Sequence, residues 1–259
     1  MNKSQQTSTL SYRLLLGGRL SAFKLLAINV LFIHMLGSQL THASELANTT
    51  NGETEELTFQ VLLDDDEIGV HRFRIEQTSS GQTVDIDANF TFTFLGIPLY
   101  RYAHTNRERW RDGCLQSIRS NTDDNGDLFT VEGDSSPPGF IVNTVIDRKN
   151  KEQQSLDNSC VMTFAYWDKN FLKQPQLLNS QNGEWLPVDI NFVGNEDINL
   201  NDKILVAKKY QVLNSDKEID ISVWYDSVTD RWLALESRVS GDRLLRYVPI
   251  VANANNNRP

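Results

Sequence analysis

Along residues 84–94 apolar and polar positions alternate without interruption. Val84, Ile86, Ala88, Phe90, Phe92 and Phe94 fall on one face, and Asp85, Asp87, Asn89, Thr91 and Thr93 on the other. A two-residue period predicts a half-buried β-strand, because successive side chains of a pleated chain point to opposite faces. At ~3.3 Å per residue this strand is about 36 Å long, beyond the usual length. Long antiparallel strands belong to curved sheets or barrels, where curling or closure manages the edges. The same period recurs along the chain. Leu57, Phe59, Val61 and Leu63 alternate, the acidic run Asp64-Asp65-Asp66-Glu67 makes a turn, and residues 68–76 return as a hairpin. Further strands are predicted at 99–111, 115–122, 128–132, 140–148, 161–166, 185–192, 204–213, 219–225, 232–239 and 243–250. Asn125-Gly126 turns the chain between two of them, and Pro137-Pro138-Gly139 breaks the pattern. One short helical segment is expected at 168–178, capped by Asp168, with Phe171, Leu172 and Leu178 toward the sheet and Pro175 limiting its length. The fold class is mainly β: an antiparallel curved sheet or open half-barrel of about eleven strands with one short helical segment.

The two ends of the chain do not share this period. Residues 1–43 hold Lys3, Arg13, Arg19 and Lys24 and no acidic residue. The apolar stretch 25–36 follows the basic lead, and Thr41-His42-Ala43 follows that. Basic, apolar, then small is the layout of a secretory signal peptide cleaved near Ala43, which directs the chain to the periplasm or outside the cell. The alternative is a retained anchor, but twelve residues span only about 18 Å of a ~30 Å hydrocarbon core, so no stable membrane span is expected after cleavage. Residues 44–56 read as a disordered leader and 252–259 as a disordered tail. No repeat, linker or composition break divides 57–251, so one domain is expected.

Composition then narrows the partners. The chain has 259 residues, 25 basic and 34 acidic, for a net charge of −9. Without residues 1–43, four basic residues go and 21 stand against 34, a net of −13. Such a balance excludes nucleic acid, which wants clustered Lys and Arg. Cys114 and Cys160, 46 residues apart, form one disulfide in an oxidising compartment, or else remain two buried thiols. No C-x-x-C motif is present for disulfide exchange.

Chemistry is sparse. Only His71 and His104 lie beyond residue 43, too few for a zinc site, so neither metal nor cofactor is expected. The acidic runs at 64–67 and 123–127 lack the spacing of a calcium loop and read as hairpin tips. No G-x-S-x-G and no phosphate-cradling loop occurs. One constellation stands out. On a strand over 99–111, Tyr100, Tyr102, His104, Asn106, Glu108 and Trp110 share one face, aromatic bodies with polar tips, while Arg101, Arg107, Arg109 and Arg111 share the other. The first face suits a cavity wall, so Tyr100, Tyr102, His104, Glu108 and Trp110 are the candidate ligand-binding residues; cross-strand packing with salt bridges is the alternative.

The segment around this face resembles a bacterial family catalogued as domain of unknown function 6134. The resemblance is carried by Tyr102 and His104, by Glu108-x-Trp110-x-x-Gly113 and by Thr122-Asp-Asp-Asn-Gly126. It continues in Phe164-x-x-Trp167, in Leu177-Leu178-Asn179-x-Gln181-x-Gly183 and in Trp224-Tyr225-Asp226 before Leu233. It implies an exported β-rich protein of unassigned activity, similar in shape to the half-barrel of periplasmic lipoprotein carriers, which wraps a sheet around a helix.

The expected function is non-enzymatic binding of an apolar or amphiphilic small molecule in the cell envelope, with Tyr102, His104 and Glu108 fixing its polar ends. A structural or assembly role in the envelope is the alternative, with no protein partner indicated. An enzyme with a His104 or carboxylate site is the third reading. An empty lined cavity favours the carrier; a sheet filled by its own chain does not.

Overall fold

The computed structural model describes residues 52–200, 203–239 and 241–250. The expected signal peptide, most of the leader and the tail lie outside them. Eight strands come first: β1 (Thr54–Leu63), β2 (Asp66–Thr78), β3 (Gly81–Phe94), β4 (Ile97–Arg111), β5 (Cys114–Asp124), β6 (Asp127–Ser136), β7 (Gly139–Ile146) and β8 (Asn150–Leu156). Two short strands follow, β9 (Gln176–Leu178) and β10 (Trp185–Pro187). Five more complete the chain: β11 (Asp189–Leu200), β12 (Lys203–Asn214), β13 (Ile219–Asp226), β14 (Trp232–Val239) and β15 (Arg243–Pro249). Thirteen of them form one antiparallel sheet in the order β11-β12-β13-β14-β15-β1-β2-β3-β4-β5-β6-β7-β8, which is not closed. The first and last strands are neighbours in its middle, with Phe59 opposite Pro249 and Leu63 opposite Leu245.

Alternation fixes which face is inside. Along β4 the buried residues are Tyr102, His104, Asn106, Glu108 and Trp110, and every residue between them is exposed. The inner faces of the other strands add Phe59, Val61, Val84, Ala88, Ile118, Val131, Val142, Val212 and Val223, all almost inaccessible. Outside, the cationic face of β4 meets acidic neighbours: Arg107 binds Asp85 through two nitrogens at 2.5 and 3.0 Å. Register shifts in β1–β2, β3–β4, β4–β5, β11–β12 and β13–β14 each add an extra residue to one strand. Such bulges bend the strand and increase twist, which curls a sheet this wide.

The sheet curls around its own chain. Residues 157–188 leave β8 and cross the inner face to reach β11. Val161, Met162, Ala165, Phe171, Leu177 and Leu178 of this segment are buried. Ser180 and Gln181 carbonyls accept hydrogen bonds from the Ser120 and Thr122 hydroxyls of β5 at 2.5 and 2.9 Å. The Tyr166 carbonyl accepts from the Tyr225 hydroxyl of β13 at 2.7 Å, and its ring lies 5.6 Å from that of Trp232 in β14. At the start of the segment the Cys114–Cys160 disulfide, with Cα atoms 4.9 Å apart, ties it to β5. The small β9–β10 sheet carries the turn 179–184, which touches β8 through Gln154 and the β12–β13 turn through a Lys217–Glu184 pair at 2.5 Å.

The expectations above need four corrections. The helix at 168–178 is a single 3-10 turn, Lys169–Lys173: Asp168 caps it by accepting from the Asn170 N–H at 2.9 Å, Gln174 is already extended before Pro175, and Leu178 belongs to β9. Residues 161–166 are apolar because they lie on the sheet, not in it; their one β-bridge is Thr163 to Leu178. Edge strand β8 is almost entirely exposed and therefore shows no apolar period. Finally, β1 begins at Thr54, inside the expected leader.

Candidate functional site

The five candidate residues share the inner face of β4, but the structure divides them. The turns β1–β2, β3–β4, β5–β6, β12–β13 and β14–β15 define an upper end. Glu108 and Trp110 lie toward the lower end beneath residues 157–188, Tyr102 and His104 lie above, and Tyr100 sits at the rim.

The lower group is sealed. Glu108 is 1% exposed. Its carboxylate accepts from the Asn106 amide at 2.8 Å, from the Trp110 indole N–H at 2.9 Å and from the Thr163 hydroxyl. No cation faces it among the described residues, and burial pushes its carboxyl up to about 7 despite those donors. Trp110 packs edge-on against Trp167 at 5.3 Å. Both side chains are buried among the chain's own residues, Trp110 at 2% exposed.

The upper group is an aromatic and imidazole cup. One row across the sheet reads Phe59, His71, Ala88, His104, Thr122. The small Ala88 lets the two imidazoles lean toward each other from alternate strands. The next row adds Phe90 and Tyr102, stacked at 5.2 Å. Tyr247 of β15 closes the cluster, its ring 5.5 Å from that of His71 and its hydroxyl 3.2 Å from His71 Nδ1. The Thr122 hydroxyl has one hydrogen, and it goes to the Gln181 carbonyl. His104 Nδ1, 2.9 Å from that oxygen, is therefore the donor, and Nε2 keeps its lone pair. Burial pushes His104 down to about 4. Burial pushes His71 down to about 3, and neighbouring His104 adds to the shift. Both rings are neutral at physiological pH. His71 Nε2 is buried without a hydrogen-bond partner; as a neutral ring carries one N–H, its role is the opposite of the one Nδ1 takes toward the Tyr247 hydroxyl.

The rim is apolar and half-open. Leu63, Phe92 and Leu245 are half-buried, and Tyr100, 36% exposed, donates to Asp124 at 2.6 Å. Arg243 lies over the Phe92 ring at 4.2 Å. On the outer face a groove of ≈ 300 Å³ runs past Ala103, Thr105, Asn121 and Thr130, with no convergent charged cluster. The acidic runs are hairpin tips: Asp64 accepts from Arg243 and the Leu244 N–H, and Asp123 from the Gly126 N–H. Among the described residues no group of three His, Cys or acidic side chains is placed to hold a metal ion. His71, Phe90, Phe92, Thr122 and Tyr247 complete the cup without having been singled out from the sequence as its members. Their proximity depends on register between strands; the alternation along 84–94 marked Phe90 and Phe92 as inward-facing, but nothing in the sequence set them beside His71, Thr122 and Tyr247.

The fold has a solved counterpart. A β-barrel-like protein of a domain of unknown function, DUF1849, from Brucella abortus superposes with a TM-score of 0.52 at 8% identity, covering 77% of this chain and 96% of that one. The curated proteins give no match. The model of DUF6134, a domain of unknown function, matches residues 59–250, the span that holds both the cup and the segment sealing Glu108, and the chain therefore belongs to the DUF6134 family.

Proposed function

We propose that the protein is a non-enzymatic binding module of the cell envelope that seats the apolar part of an amphiphile in the upper cup. The observation that carries this reading is where the filling of the sheet stops. Residues 157–188 cover the lower inner face and, through the turn 179–184, reach the upper end beside β5 and the β12–β13 turn, yet the rim at Leu63, Phe92, Tyr100 and Leu245 stays partly open above a floor of Phe90, Tyr102 and Tyr247. Aromatic walls supply apolar area, His104 Nε2 supplies an acceptor, and His71 Nε2 supplies a second, unpartnered ring nitrogen for a hydroxyl or amide headgroup. A disulfide joining sheet and inner segment supports a place outside the reducing cytosol. The cup is shallow, so the ligand is held at one end of the sheet and not enclosed as in a deep carrier.

The test is native mass spectrometry of protein purified from cell envelopes, followed by titration of delipidated protein with a fluorescent C16 fatty acid or monoacylglycerol. Bound amphiphile is expected, with affinity falling at least tenfold in Phe92→Glu while the melting temperature holds. An absence of both bound lipid and titratable binding sinks the proposal. One observation favours the assembly role instead: the chain fills most of its own concave face. That reading gains if a single envelope protein crosslinks reproducibly to the wild type and to Phe92→Glu alike.

A further inference from the structure

The β3–β4 hairpin outruns its neighbours. Pairing between β2 and β3 ends at Gly69–Phe90, and pairing between β4 and β5 ends at Tyr102–Asp124. Beyond those points Arg101 still accepts from the Asn125 N–H, and residues 91–94 and 97–100 pair only with each other. Four residues per arm at ~3.3 Å carry the tip about 13 Å past the last pair with β2 and β5. Leu95 and Gly96, both at positive φ, make the two-residue turn. Residues 89–100 contain no charge, although 23% of the chain is charged. Leu95, Ile97 and Leu99 are 85%, 62% and 55% exposed.

Two features identify what covers this tip. Ile97 and Pro98 are consecutive strand residues and point to opposite faces, Pro98 beside Thr93, and Leu95 sits on the crown, so the ribbon is uncharged on both faces and apolar at its end. A groove on another protein contacts one face and leaves the other wet; a medium that surrounds the tip suits all three. Below the crown the order is Tyr100, then Arg101 and Arg243, the latter over Phe92. An apolar crown, an amphipathic aromatic and then guanidinium groups match the depth order of a bilayer interface. The free edges of a two-stranded ribbon keep unpaired N–H and C=O groups, which stops it from crossing the hydrocarbon core and holds it ~5–10 Å deep. Asp64, Asp65, Asp123, Asp124 and Asp127 crowd the turns of the same end, so attachment does not depend on anionic lipid.

We propose that the β3–β4 hairpin docks the protein reversibly on a lipid bilayer by inserting Leu95, Ile97 and Leu99 at the interface, whether or not a ligand occupies the cup. Both cysteines are in the disulfide, so Leu95→Cys introduces one free thiol for an environment-sensitive fluorophore. The full chain so labelled is mixed with phosphatidylcholine–phosphatidylethanolamine vesicles, beside a control labelled through Ser80→Cys at the lower end. The Leu95 probe is expected to shift to the blue and to be quenched by shallow nitroxide lipids, with little loss between 0.1 and 1 M salt. The Ser80 probe stays unchanged. Adding Ile97→Glu to the Leu95 label is expected to cut the apparent partition at least tenfold. The proposal fails if the Leu95 probe ignores vesicles, if both probes respond equally, or if the response appears without lipid as protein concentration rises, which assigns the tip to a second copy of the chain.

Discussion

Glu108 and the two inner histidines respond to pH in opposite directions. Glu108 is raised in the folded state from 4.5 to about 7, so its contribution to stability is complete below about 4.5 and is lost as pH rises through about 7. His71 and His104 are lowered from 6.5 to about 3 and about 4, so their contribution is present above 6.5 and is lost as pH falls through those values. Between 4.5 and 6.5 the carboxyl partly offsets the imidazoles. Glu108→Gln presents an amide N–H to at least one of the three donors now served, Asn106, Trp110 and Thr163, at a cost of ~1–3 kcal/mol. The variant's deficit against wild type is expected to grow from pH 8 to pH 5, because it no longer takes up the proton. His104→Gln is expected to flatten the loss of stability below pH 6.5. Urea midpoints at unit pH intervals check both. Alternation along 99–111 was enough to place Tyr102, His104, Glu108 and Trp110 on one face. It was not enough to tell a cup wall from a sealed carboxyl, because Thr163 and Gln181, which make that difference, lie 55 residues beyond Glu108 and 77 beyond His104.

At the scale of elements, the strands with one wet and one dry face were legible, and those without were not. β3 and β4 announce themselves because the core lies on one side only. β8 is wet on both sides and has no period, and residues 161–166 are apolar but packed on the sheet. The segment 157–188 behaves as a strap whose tightest point is Gly183. Its φ is +79°, and a Cβ there meets Thr144 Oγ1 at 2.1 Å. Gly183→Ala is strained by backbone and by space alike, and a loss of ~1–3 kcal/mol is expected from denaturant unfolding. If the strap limits access to the inner face, hydrogen exchange at Ser180 and Gln181 should accelerate in this variant before exchange in β1 and β2 does.

For the molecule as a whole, thirteen strands curl around a strap that one covalent bond fastens to them. The Cys114–Cys160 bridge closes a separation of 46 residues, worth on the order of 4 kcal/mol through restriction of the unfolded chain. Breaking it with reductant, or with Cys114→Ser plus Cys160→Ser, is expected to lower the melting temperature by roughly 10 °C. An unchanged transition in calorimetry would mean that strap and sheet hold without it. The pairing of β15 with β1 has its own consequence for how the molecule is made. A chain synthesised from its amino end carries β1 unmated on one flank until residue 249 emerges. Growth before that moment leaves two incomplete half-sheets with raw backbone edges, hazards for sticking to other chains. Completion is thus a terminal event: a product cut short by the last fifteen residues, 245–259, lacks the seam, and should be degraded or insoluble instead of merely less stable.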